Sequence, residues 1–177
     1  MFTRKIVATG LALGGCIILF LFIFSPIPSR LRINDVLIGI FFGIIISFVN
    51  FLITKSVSKI FPKHSHRRCD KIWIVSDNPY VTYMLVIENV LIEELLFRSF
   101  LLTIIMSYCG VTTAIIVTSI LFVCSHIRPR IIELTIMGIS FAILVIVTGN
   151  IITSIMAHLL INTLFYFSTM LKKDKLM

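Results

Sequence analysis

Six long apolar runs joined by short polar stretches organise this chain. They cover about 6–27, 33–54, 80–107, 111–127, 131–148 and 150–171. Each is near or above the ~17–25 residues that a membrane-crossing helix needs. The pattern predicts an all-α fold: a polytopic transmembrane helix bundle of about six membrane-spanning helices. The joints carry helix-ending signals. Asp77-Asn78-Pro79 offers a capping side chain followed by proline at the first turn, and Gly149-Asn150 makes a tight turn between the last two runs. Gly138 and Ala142 form a small-x-x-x-small pair, which lets helices approach closely in lipid.

The chain divides into three parts. Residues 1–79 hold two N-terminal transmembrane helices and a basic loop, 80–171 form a four-helix core, and 172–177 are a basic tail. Arg4 and Lys5 before the first run resemble the start of a signal peptide. Its apolar core is long, however, and no A-x-A-like cleavage site follows, so the first run is read as a retained helix.

Composition agrees. The chain of 177 residues is 58% hydrophobic and only 14% charged, whereas soluble domains are nearer half apolar and a quarter charged. A net charge of +8 can signal nucleic acid, but here the basic residues sit between apolar runs, so no nucleic-acid partner is expected. They report topology instead. Thirteen Lys and Arg fall on the side shared by the N-terminus, the loops at 55–79 and 128–130 and the tail; two fall on the other side. Both termini and the basic loop are therefore expected in the cytoplasm. Cys16, Cys69, Cys109 and Cys124 form no C-x-x-C pair and suggest neither a disulfide framework nor a zinc knuckle. The loop HSHRRCD (64–70) gathers His64, His66 and Cys69, but reads more simply as a solvated basic loop.

Several expensive side chains interrupt the apolar runs. The third run contains Glu88, Asn89, Glu93, Glu94 and Arg98; the fourth ends at His126; the sixth holds His158 and Asn162. Ionisable residues in membrane helices usually face a bundle interior or cavity and mark function. At ~100° per residue, Glu93 and Glu94 point in different directions. Arg98 lies four residues after Glu94, in the favourable order for pairing. Phe122 and His126 share a face, as do His158 and Asn162. At 1.5 Å per residue all these groups fall in one slab of the bilayer, so three helices can converge a carboxylate, two imidazoles and an amide. Taken singly, each residue fits an interhelical hydrogen bond or a structural ion pair.

At these residues the sequence resembles the CPBP family of intramembrane proteases, which includes the CAAX prenyl-protein endopeptidases and the Abi, or bacteriocin-immunity, proteins. The motif E-E-x-x-x-R is matched by Glu93-Glu94-Leu-Leu-Phe-Arg98, F-x-x-x-H by Phe122-Val-Cys-Ser-His126, and H-x-x-x-N by His158-Leu-Leu-Ile-Asn162. The resemblance covers about 80–169. It departs at Ser99 and Ala142, where glycine is common; both replacements are small.

The resemblance implies an enzyme that hydrolyses a peptide bond of a membrane-associated protein or peptide, in the plasma membrane of a bacterium. Glu93 is then the general base and His126 holds and polarises the water. His158 and Asn162 donate to the oxyanion, and Glu94 with Arg98 fixes the helix rotation that aims Glu93. No cofactor is expected. The rival within the same family is zinc held by Glu93, His126 and His158, completed by water. A different class also stays open: a non-catalytic immunity or scaffold protein that binds a peptide or partner helix in the same cavity. A proton-coupled transporter fits less well, since six helices show no internal repeat.

Overall fold

In the computed structural model, residues 13–20, 23–25, 31–60, 78–126 and 130–174 are described. The basic loop 64–70, with its suggested metal site, lies outside them. So do the extreme N-terminus and the last three residues.

All regular structure among the described residues is helical. Residues 13–20 form α1. Ile33–Ile60 is α2. Pro79–Glu94 is α3, which passes without a break into a π-helical segment, Leu95–Leu101, and then into α4, Leu102–Cys109. Val111–Cys124 is α5, Ile131–Thr148 is α6 and Ile151–Asp174 is α7. Counting α3 to α4 as one rod, six helices stand where six apolar runs predict them.

Local chemistry sets the boundaries. The Tyr80 amide donates to the Asn78 side chain at 2.9 Å, and Pro79 occupies the first turn of α3. Gly110 and Gly149 close the turns with φ of 81° and 62°, where side chains are strained. Asn150 then starts α7. Its Oδ1 accepts from the Ile152 amide at 3.1 Å, and its Nδ2 donates to Asp35 at 2.6 Å, tying α7 to the first turn of α2.

Helix faces are sorted for lipid. Phe41, Phe48, Phe51, Ile116, Ile120 and Val147 are exposed, while Phe97, Phe122, Phe141 and Met137 form the core. Such an outward apolar surface suits hydrocarbon rather than water. Ile33–Ser56, Ile131–Thr148 and Ile151–Ser168 are long and apolar enough to cross a membrane. α5 is shorter than the 111–127 run predicts, because its helix stops at Cys124.

Close crossings hold the bundle together. A Cβ on Gly138 would stand 3.2 Å from the Ser119 Cα, and Ala142 is fully buried against Ala114, so the small pair on α6 seats α5. A second pair, Gly39 and Gly43, lets α2 lie against α7. A Cβ on Gly39 would meet the Thr153 carbonyl at 2.5 Å, and one on Gly43 the Ala157 backbone at 3.0 Å. The α2–α7 interface is the most extensive in the bundle.

Candidate functional site

The two adjacent carboxylates of α3 end up in different surroundings. Glu94 is fully buried in the bundle, whereas Glu93 lines a cavity. Arg98 sits in the π-helical segment that follows, in which hydrogen bonds skip one extra residue. Such segments are rare and concentrate at functional sites. The Arg98 Nη1 lies 3.5 Å from Glu94 Oε1, so the expected pairing forms. Its guanidinium is boxed by aromatic rings, with Phe122 at 4.2 Å, Phe141 at 5.3 Å and Phe97 at 5.7 Å from its carbon. Ring faces stabilise a cation without hydrogen bonds, which suits a guanidinium whose nitrogens find no hydrogen-bond partner among the described residues.

His158 enters from α7. Its Nδ1–H donates to Glu94 Oε1 at 2.8 Å, and its Nε2 stands 3.7 Å from Glu93 Oε2. Phe141 stacks on the imidazole, with centroids 4.9 Å apart. One ring therefore links both carboxylates, and it is locked by a hydrogen bond along one edge and an aromatic face.

His126 arrives by a different route from the one its spacing suggests. α5 has ended by then, and Ser125 and His126 form a turn. The ring still packs on Phe122 at 4.6 Å. Its Nδ1–H donates to the Phe122 carbonyl at 2.8 Å, which turns Nε2 to within 3.8 Å of Glu93 Oε1. Asn162, one turn beyond His158, lines the same cavity. Glu93, His126, His158 and Asn162 thus converge there, with Glu94 and Arg98 packed behind them.

Three further contributors build the site, of which the sequence singled out Asn89 alone, as a polar group without an assigned role. Asn89 donates to Glu93 Oε1 at 2.6 Å, a contact signalled by its position four residues before Glu93. Phe141 carries no such local signal, because its partner lies on another helix. The third is α2, whose Ser47, Asn50 and Thr54 line the cavity. The cavity measures about 430 Å³, within the range of small-ligand and peptide sites. Around Thr54 an ionic clasp ties α2 to the start of α6: Arg130 Nη2 donates to the Thr54 hydroxyl at 3.1 Å, and Arg130 Nε lies 3.4 Å from Glu133 Oε1. The two departures from the family pattern are accommodated. Ser99 is buried and shares a hydrogen bond with Ser25, and Ala142 packs in the core.

The donor set proposed for zinc was Glu93, His126 and His158. Each histidine is anchored through Nδ1 and free at Nε2, as ligands often are. Yet no group of three His, Cys, Asp or Glu side chains among the described residues is spaced to hold a metal ion.

A family model described as type II CAAX prenyl endopeptidase Rce1-like matches residues 76–164, half of the chain and a stretch within which the six candidate residues fall. No curated protein and no solved structure matches. A membrane-embedded helical bundle with a family match of this extent has one assignment: the chain belongs to the Rce1-like type II CAAX prenyl endopeptidases, a family of membrane proteases that hydrolyse peptide bonds.

Proposed function

We propose that this chain cleaves a peptide bond of a membrane-associated protein or peptide inside the cavity, with Glu93 as the base that activates water. The observation that carries the reading is the position of the Glu93 carboxylate. It lies between two imidazole Nε2 atoms, at 3.8 and 3.7 Å, and each ring is fixed by a hydrogen bond from its other nitrogen. A water at Glu93 loses its proton to the carboxylate while its oxygen attacks the scissile carbonyl. His126, at the cavity wall, holds that water. Asn162 donates its amide N–H to the oxyanion, the kind of preorganised contact on which acyl transfer depends. Collapse of the tetrahedral intermediate breaks the C–N bond, and Glu93 returns the proton to the leaving amine.

His158 Nε2 faces the Glu93 carboxylate, where the oxyanion would form, and the Nδ1 bond to Glu94 keeps the ring aimed there. The same charge asymmetry that marks the loops supports an orientation with both termini in the cytoplasm.

The test is Glu93→Gln in the purified full chain, assayed on a fluorogenic peptide ending in a prenylated CAAX sequence. The parent should cleave it. The variant should lose turnover while its melting temperature and peptide binding stay close to the parent's. Full cleavage by Glu93→Gln would remove Glu93 as the base, and a parent that binds the peptide without cutting it would leave a peptide-binding or immunity protein as the better reading.

A further inference from the structure

We infer that α2 supplies a substrate-binding wall, in which the Asn50 side-chain oxygen accepts a backbone N–H of the peptide seated at Glu93. This rests on the hydrolase reading above and extends it to a helix that lies outside the matched stretch 76–164.

Three observations carry it. Ser47, Asn50 and Thr54 are three and four residues apart, so they share one face of α2, and all three line the cavity. Asn50 is only 8% exposed, yet its Oδ1 has no hydrogen-bond partner among the described residues; the buried Ser47 hydroxyl also has none. Buried polar atoms are nearly always paired, and each exception calls for a reason. Thr54, next along the same face, is fully engaged with Asn50, Glu133 and Arg130. The unpaired groups are thus confined to the part of the face deeper than this clasp.

Position makes a ligand the reason. α2 packs along α7 and against α6, and has no comparable contact with α3. It therefore faces Glu93 across the cavity. α7 also carries His158 and Asn162, so the close glycine crossing fixes the wall relative to the catalytic groups. A peptide lying between α2 and α3 presents its scissile carbonyl to one side and amide N–H groups to the other. A carboxamide oxygen is the right complement for a backbone N–H. It reads the main chain, so it holds the strand in place without choosing its side chains.

The experiment uses the full chain in detergent with Glu93→Gln as the non-cleaving background. The probe is a fluorescent farnesylated peptide ending in a CAAX sequence, together with analogues N-methylated at one amide each. Adding Asn50→Leu should weaken probe binding about tenfold, the upper end of one neutral hydrogen bond. One N-methyl analogue should show a similar loss on the Asn50 background and no further loss with Asn50→Leu, as a cycle through a shared contact requires. The melting temperature of Asn50→Leu should equal or exceed the parent's, because the change removes an unpaired buried acceptor. Unchanged binding, losses that add in full for every analogue, or a melting temperature several degrees lower would each overturn the inference. If the unsubstituted protein neither binds nor cuts the probe, the proposed function falls as well; cleavage with an indifferent Asn50→Leu overturns the wall alone.

Discussion

A single hydrogen bond of 2.8 Å, from His158 Nδ1 to Glu94 Oε1, joins residues 64 positions apart and sets the work of both neighbouring carboxylates. Glu94 spends its oxygen on His158 and on Arg98 at 3.5 Å, which leaves Glu93 as the carboxylate that faces the cavity. Adjacent residues of one type are thereby given separate tasks by the helices that pack on them.

Glu94→Ala should therefore damage the fold as well as the reaction. Arg98 is fully buried and loses its ion-pair partner, while His158 loses the partner of Nδ1. Removing one member of a buried pair costs about 3–5 kcal/mol in soluble proteins. A detergent melting assay should show a clear drop for Glu94→Ala and little for Glu93→Gln. The reverse order would assign the supporting role to the wrong carboxylate.

Asn162→Ala removes the proposed donor to the oxyanion and leaves packing nearly intact, since Asn162 is only partly buried at the cavity wall. Turnover should fall on the order of 10²–10³-fold. Parental turnover in this variant would mean that the oxyanion is stabilised elsewhere.

Metal content gives an independent check. The proposed glutamate chemistry runs without zinc, while Glu93, His126 and His158 are the residues that would hold one. Elemental analysis of active protein should find no stoichiometric zinc, and chelators should leave activity in place. One zinc per chain, lost together with activity, would turn these three residues into ligands.

Gly39→Ala tests the α2–α7 crossing. Its Cβ would meet the Thr153 carbonyl at 2.5 Å, and backbone cannot swing aside as a side chain can. The helices must separate, at a cost of about 1–3 kcal/mol typical of overpacking. Melting temperature should fall. Gly15→Ala, where an added Cβ meets nothing within 4 Å, is the control and should melt with the parent.

Much of this arrangement is legible in the chain. Apolar runs mark the helices because hydrocarbon tolerates few polar groups, and the capping Asn78 and Gly149 stop and start them within a few residues of expectation. Glu94 and Arg98 pair at the spacing expected of them. What escaped depends on packing between helices. Uniform rotation per residue does not foresee the π-helical segment around Arg98, nor the end of α5 before His126. Gly39 and Gly43 have the same spacing as the pair on α6, but only their fit against Thr153 and Ala157 reveals what they do. Asn50 carries no local signal in its apolar run, and only the packing of α2 on α7 brings it to the cavity.

The charge group behind Glu93 also sets an order of assembly. Glu93, Glu94 and Arg98 are made before the partners that reach them from other helices: Phe122, Phe141 and finally His158 come 24 or more residues later. Each charge is costly in lipid on its own, about 2.5–3.5 kcal/mol on insertion scales. During synthesis the rod from Pro79 to Cys109 thus enters the membrane as an incomplete element, stabilised in place only once α7 delivers an imidazole. A helix made some fifty residues later is thus the one that makes the third at home in the bilayer.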